Sequence, residues 1–362
     1  MAGMPHTRLM VRTRSPFRVA VERVADVVIR GSGLLGVLRQ LDTLNGQILR
    51  VLAYHRVADP ARDTIQGDPS IISATPETFA DQVRLLVQHY VPIGLPDLEA
   101  LVRGAQPIPR RAVLVTFDDG YRDFLLHAWP VLKKHSVPVV LFVPTAYPGR
   151  KRLFWWDELW RMFSRATAPS AFLPGLGRVD LGTPRTRWGA MVHIRKEMRF
   201  LPSHAVQQRM TEFRAALGVE VESTSVVLSW EELRTLSREG VTIASHGRSH
   251  ASMPSLTETE IAEEIDGAQV DMEQELGAVA RVFAYPFGHY DARVASVLRG
   301  RGFLAAFRTG PGHNAIPLGN PFAIFRHTVN AGHSPSRLQL GLSGLYPKPL
   351  TRLSYLLRGR GS

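Results

Sequence analysis

From residue 48 onward the chain alternates short, wholly apolar runs with amphipathic stretches of helical period. Ile48–Tyr54, ending at His55, is one such run; Ala112–Phe117 and Val137–Val143 are others, and shorter ones follow at 241–244 and 281–285. Runs this short and this rich in Val, Ile and Phe predict strands buried on both faces. Between them, Phe79, Val83, Leu86 and Val87 mark the apolar face of a helix. Its start is set by Thr75 as N-cap, Pro76 at the first helical position and Glu77 in the first turn. Residues 230–239, 257–276 and 291–301 read as further helices. Strands alternating with helices predict an α/β fold on a parallel sheet, with enough strands to close a barrel. In such a barrel the chemistry belongs where strands end at their C-terminal side.

Two regions break this rhythm. Residues 17–44 read as two helical pieces split by Gly31-Ser32-Gly33, with Leu34, Leu35, Val37, Leu38 and Leu41 forming an apolar face. That pattern predicts a helical arm packed on the domain, with an amphipathic surface anchor as the alternative. Residues 150–225 are rich in Arg, Trp and Pro, with helical stretches near 186–200 and 203–216, and read as an insertion. The expected organisation is a basic helical arm over 1–47, a barrel over 48–340 interrupted at 150–225, and a basic tail over 341–362.

Charge sharpens this picture. Of the formal net charge of +12, residues 1–50 carry +5, residues 150–225 carry +6 and residues 341–362 carry +4, leaving the remainder net negative. A nucleic-acid enzyme would place its positive field around the working groove; an excess at the ends and in one middle segment points instead to an anionic membrane surface as partner and away from nucleic acid. The chain has no cysteine, which excludes disulfides, thiolate metal sites and Cys nucleophiles. No apolar run reaches the length of a membrane span, and the basic N-terminus lacks the apolar segment of a secretory signal. The expected location is cytoplasmic, or peripheral at the inner membrane face.

Three polar clusters each follow a predicted strand. The first is Thr116-Phe117-Asp118-Asp119-Gly120. Adjacent carboxylates at the end of a buried strand are costly unless a cation or hydrogen bonds offset them; alone, the sequence reads equally as a turn. The second, Ser245-His246-Gly247-Arg248-Ser249-His250, spaces two imidazoles so that they can converge on one ion. The third, Ala284-Tyr285-Pro286-Phe287-Gly288-His289-Tyr290-Asp291, is an aromatic turn. Two His and one Asp leave an open coordination position, which is a catalytic arrangement.

With these motifs the chain resembles the polysaccharide deacetylase family, the NodB homology group of carbohydrate esterase family 4. Within it the chain is most similar to the branch with a Tyr-His-x-Val strand, here Tyr54-His55-Arg56-Val57, and a Phe-Trp-Trp-Asp insertion, here Phe154-Trp155-Trp156-Asp157. The resemblance runs from about residue 50 to 330. It implies a distorted (β/α) barrel of about seven strands and hydrolysis of an N-acetyl group from an aminosugar of a polysaccharide or glycan precursor. It implies Asp118 as general base, and Asp119, His246 and His250 as ligands of one divalent ion, zinc before others. The loop Tyr285-Pro286-Phe287 is implied to face the substrate, the backbone N–H of Tyr285 or a neighbour holding the oxyanion.

Three departures from the family pattern bear on the mechanism. Gly247 stands where Ser or Thr usually follows the first His, removing a hydrogen bond that steadies the loop. Ala284 stands where an Arg often orients the base, and Arg326 or Arg248 is the candidate replacement. The late histidine that acts as general acid has no clear counterpart; His327 is the first candidate and His333 the second. Trp155 and Trp156 are candidates for stacking on sugar rings, the alternative being a hydrophobic hinge, and His55 is a candidate for the barrel mouth. The other readings left open are a silent glycan- or membrane-binding module with a degenerate site, and a hydrolase of the same fold acting on O-acetyl esters or cyclic amides.

Overall fold

The computed structural model of the protein describes residues 47–277, 280–310 and 312–343. The arm expected over 1–47 and the tail over 341–362 lie outside the described residues, except for Gln47 and the last helical residues at 341–343.

The apolar runs form strands β1 (Ile48–Tyr54), β2 (Val91–Ile93), β3 (Ala112–Phe117), β4 (Val139–Val143), β5 (Thr242–Ser245) and β6 (Ala280–Ala284), joined by β7 (Ala305–Thr309) and β8 (Ile324–Thr328). Seven of them close a parallel barrel: β3, β4, β5, β6, β7 and β8 are neighbours in that order, and β1 pairs with both β8 and β3. The remaining strand, β2, shares an edge of β3 with β4. It takes Ala112 to Leu114, and β4 takes Val115 to Phe117.

Strand alternation divides the core into two layers. Leu49, Val51, Leu114, Phe142, Val282 and Phe307 fill the barrel with their neighbours. The alternate residues, among them Leu52, Tyr54, Val115, Phe117 and Leu141, face outward and pack on the first helix. That helix, α1 (Pro76–His89), starts as predicted, with the Thr75 hydroxyl accepting from the N–H of Thr78. It buries Phe79, Gln82, Val83 and Leu86, whereas Val87, expected on the same face, is 38% exposed. Gln82 supports that face through bonds of its own, accepting from the Tyr54 hydroxyl at 3.0 Å and donating to the His333 carbonyl at 2.6 Å.

After α2 (Leu95–Val102) and α3 (Trp129–Lys134), residues 150–225 supply α4 (Trp155–Arg165), a hairpin pairing 170–173 with 177–180, α5 (Pro184–Met198) and α6 (Ser203–Leu217). These have their own apolar cluster, with Leu159, Phe163, Met191, Ile194, Met210 and Phe213 at its centre. The ring then continues through α7 (Trp230–Arg238), α8 (Glu258–Leu276), α9 (Ala292–Gly300) and α10 (Pro335–Leu342). None of the described helices is long and apolar enough to cross a membrane.

Candidate active site

The inward period of each strand, continued past its C-terminal end, delivers polar side chains to one mouth of the barrel. Past Ala53 on β1 it reaches His55; past Thr116 on β3, Asp118; past Ala244 on β5, His246. On β7 and β8 it ends at Thr309, Arg326 and Thr328. All of these except the wholly buried Arg326 line a single cavity of about 610 Å³, together with Asp119, His250 and Phe287.

Alternation alone would turn Asp119 and Phe117 to the outside together. A left-handed backbone at Asp119 (φ 72°), followed by Gly120 (φ 67°), brings its carboxylate back to the mouth. His250 (φ 61°) and Phe287 (φ 57°) adopt the same conformation, so three of the six non-glycine residues with positive φ lie at this site. Each such residue costs on the order of 1 kcal/mol, a cost the surrounding packing must offset.

Asp119, His246 and His250 place one ligand atom each within 4.8 Å of the others. The Asp119 Oδ1 atom lies 3.1 Å from His250 Nε2 and 3.7 Å from His246 Nε2, and has no hydrogen-bond partner although buried. Around a tetrahedral ion with bonds near 2.0–2.1 Å, adjacent donors sit roughly 3.3–3.5 Å apart, so these three atoms fit a divalent cation. His246 Nδ1 donates to the Ala284 carbonyl at 2.7 Å, which leaves the Nε2 lone pair facing the cluster. Burial, with His250 beside it, holds the His246 imidazole down at about 4, against the pull of Asp118 and Asp119, so it stays neutral as a ligand must. The His250 ring meets Phe287 edge-on at 4.6 Å and Trp156 at 4.9 Å.

The second carboxylate is held differently. Arg326 grips Asp118 with both ends of its guanidinium, Nη1 to Oδ1 at 2.6 Å and Nη2 to Oδ2 at 2.7 Å, and Nη1 also donates to the Thr116 hydroxyl. Both residues are buried. Burial pushes the Asp118 carboxyl up, but Arg326 and the neighbouring His246 outweigh it and hold the group well below the usual carboxylate range. Of the two arginines named as replacements for the missing orienting Arg, the structure selects Arg326. The other, Arg248, turns away to Asp271, with Nε to Oδ2 at 3.1 Å.

Two sequence expectations are corrected. His327 does not join the site. It is the next residue on β8 after the inward Arg326 and so faces the other way, stacked on His333 at 5.3 Å and pressed against Gly341 of α10. His333, the second candidate, sits in that same outer layer. The Tyr285 N–H is not available for an oxyanion, because it donates to the Phe307 carbonyl at 3.0 Å in the β6–β7 ladder. Its ring is equally committed, the hydroxyl donating to the Phe322 carbonyl at 2.9 Å. Pro286 has no N–H, which leaves Phe287 as the loop residue whose backbone faces the cavity. Gly288 follows because a Cβ there would lie 1.8 Å from the Thr309 hydroxyl.

Trp155 is half-buried and lines the cavity, whereas Trp156 is buried behind it. Trp156 Nε1 donates to the Tyr121 hydroxyl at 2.9 Å, which donates to Asp157 Oδ2 at 2.7 Å; the Asp68 N–H caps Oδ1 at 2.7 Å. Burial lifts the Asp157 carboxyl to about 7 against the opposing pull of Arg56 and these donors. Through Trp156 this network fixes the His250 ring. Glu264 is a further residue not apparent in the sequence. Its Oε2 accepts from the backbone N–H of both Arg248 and Ser249 at 2.9 Å, steadying the loop that lacks a hydroxyl at 247. Gly247 itself has φ 76°, where a β-carbon would be strained.

Comparison with known proteins agrees with this geometry. The sequence model of the family described as "Polysaccharide deacetylase" matches residues 105–167 and 200–306. A poly-beta-1,6-N-acetyl-D-glucosamine N-deacetylase of Escherichia coli (strain K12) is 29% identical over 112 residues, 30% of this chain and 16% of that protein. The chain thus aligns with only a sixth of its curated relative. Among solved structures, the Streptococcus pyogenes deacetylase PplD superposes with a TM-score of 0.55 at 14% identity, over 84% of this chain and all of that one. IcaB from Ammonifex degensii does so with a TM-score of 0.54 at 21% identity, over 82% and 98%. A seven-stranded barrel carrying Asp118-Asp119 and His246…His250 at one mouth, matched by the family's sequence model across both motifs, belongs to the polysaccharide deacetylase family.

Proposed function

We propose that this chain hydrolyses the N-acetyl group of an aminosugar in a glycan or glycan precursor, using a divalent ion held by Asp119, His246 and His250. The observation that carries the reading is the pairing of that ligand cluster with a second carboxylate, Asp118, which Arg326 keeps ionised beside it. Such an ion, when bound, polarises the acetyl carbonyl and makes a water acidic enough to attack near neutral pH.

The remaining work falls to the chain. Each oxygen of Asp118 accepts one bond from Arg326 and keeps a lone pair, so the carboxylate can take the proton from attacking water while its orientation is fixed. The Phe287 N–H, presented by a left-handed residue at the cavity wall, is the donor for the carbonyl oxygen as it gains charge. The departing nitrogen needs a proton, and with His327 on the outside of the barrel the imidazole at hand is His55. Its Nε2 lies 4.0 Å from Asp118 Oδ2 and it lines the cavity. The products are acetate and the free amine. Trp155 offers an exposed indole face to a pyranose ring. The E. coli relative, by its name, acts on an N-acetylglucosamine polymer, which supports N-acetylglucosamine as the sugar and zinc as the first metal to test.

The test is acetate release from N-acetylglucosamine oligomers by protein of measured metal content, before and after chelation. About one ion per chain and chelator-sensitive release are expected. Asp118→Asn should abolish turnover and still bind the ion; an Asp118→Asn protein with the wild-type rate would refute the assignment of the base.

A further inference from the structure

Helix α5 overhangs the cavity with one face. Val192, Arg195, Lys196 and Arg199, at and just beyond its C-terminal end, all line the cavity. Their spacing of three, four and seven residues is that of a single helical stripe. Arg195 is held by Asp68 at 2.5 Å. Lys196 and Arg199 form no ion pair among the described residues; the Arg199 guanidinium rests on the Phe200 ring at 4.7 Å. Cations in a last helical turn also complement the helix dipole, but that benefit does not require them to share the face above the catalytic mouth.

Beyond Phe287, Gly288 and Thr309 the cavity continues into a second basin of about 640 Å³, which Arg199 also lines. At its far side stands Arg308, its guanidinium between the rings of Phe325 at 4.7 Å and Tyr290 at 5.4 Å. The Arg308 Nε is buried with no hydrogen-bond partner. No carboxylate lines this basin. In the main cavity the lining carboxylates are Asp118 and Asp119; the first is neutralised by Arg326 and the second is a ligand of the cluster. The groove therefore runs from the catalytic residues toward three cations with no acid to balance them. Lys196 also falls between the two stretches matched by the family's sequence model, as does Arg199, so this charge belongs to the chain and not to the family's common pattern.

We infer that the substrate carries an anionic oxyacid group, a phosphate ester or a carboxylate, next to the sugar that is deacetylated, and that Lys196, Arg199 and Arg308 receive it. A planar guanidinium matches two oxygens of such a group, and a low-dielectric groove lined by one sign of charge focuses its field on the ligand. The inference rests on the deacetylase reading for the reaction, while the anion site can be measured without turnover.

The experiment compares chitobiose, chitobiose 1-phosphate and an N-acetylglucosamine disaccharide carrying a glucuronate neighbour. KM is measured at about 0.02 and 0.3 M salt for wild type, Lys196→Gln and Arg199→Gln. At least one anionic sugar should show a KM about tenfold below that of chitobiose at low salt, as one charge-assisted contact supplies. That ratio should shrink at high salt and fall several-fold in either variant. The two anionic sugars show which oxyacid the groove takes. Equal KM for all three sugars, or a preference that survives both substitutions, overturns the inference. If no sugar releases acetate, the deacetylase reading has failed and the anion site is judged by calorimetry on the chelated protein. There, chitobiose 1-phosphate or the glucuronate disaccharide must bind more tightly than chitobiose and lose that advantage in Arg199→Gln, or the site too is refuted.

Discussion

Replacing Arg326 by Met removes the positive partner of Asp118 while roughly keeping the volume inside the barrel. The pair is fully enclosed, with the arginine 1% and the aspartate 3% exposed, and has two bonds of 2.6 and 2.7 Å. At a charge separation of about 4 Å and an effective dielectric constant near 20, the lost attraction is ~4 kcal/mol. Mutation of one member of a buried pair typically costs about 3–5 kcal/mol, because a charge is left without compensation. Arg326→Met should therefore lower the unfolding free energy by about that amount, read by urea denaturation of the chelated protein so that metal loss does not enter. Asp118→Asn should cost a comparable amount by stranding the guanidinium. The double variant should cost clearly less than the sum of the two, with a coupling on the order of 2–3 kcal/mol. In the metal-loaded protein, Arg326→Met should also lose most of its turnover, and Arg326→Lys should lose less, since it keeps the charge but not the fork. Additive single costs, or an Arg326→Met protein with wild-type stability and rate, would show that the two residues do not act as a unit.

Three further outcomes follow from the same geometry. His250→Ala removes one of three ligands, so metal content by elemental analysis and acetate release should fall together; retention of the full metal content would exclude His250 from the cluster. Glu264→Ala frees the N–H groups of Arg248 and Ser249 and should weaken metal affinity about 10–100-fold, as loss of a supporting partner does, with helix content by circular dichroism unchanged; unaltered affinity would rule out its bracing role. Burial raises the folded-state Asp157 carboxyl to about 7, so between pH 4 and 7 the folded chain binds a proton there that the unfolded chain has released. Stability must then fall as pH rises through this window, by at most ~4 kcal/mol from this group. Asp157→Asn should remove that share, seen as a smaller fall than in wild type when urea midpoints at pH 5 and 8 are compared; parallel behaviour of the two proteins would refute it.

The barrel was legible wherever its strands are apolar on both faces, as in β1, β3 and β4. Strands β7 and β8 were not, and the reason is physical. Ala305 and Ala306 supply little hydrophobic signal because they pack closely in the core, and β8 places an Arg and a His inside five residues. The ligand set was readable because each cluster directly follows a strand, but the turn that recruits Asp119 is a backbone property that residue type does not reveal. Glu264 was hidden because it lies on α8, remote in sequence from the loop it holds. The arm and the tail lie outside the described residues, and the membrane partner inferred from their charge stays an expectation.

The choice between Arg326 and His327 shows what the sequence could have decided without coordinates. In a strand, neighbours face opposite sides, so one strand cannot send both to the same mouth. The two expectations were mutually exclusive from the start. What the sequence lacked was the register, and that follows from Thr328, which shares the face of Arg326 and lines the cavity. Once Arg326 points inward the orienting arginine is supplied from β8, and the end of β6 has no need of one. Ala284 is then free to be small, and its carbonyl can accept from His246 at 2.7 Å. The same step removes His327 as proton donor and leaves that task to His55, on the strand paired with β8. A departure from the family's motif at one strand end is thus compensated at another, because what the chemistry requires is a cation and an imidazole at the barrel mouth, whichever strands provide them.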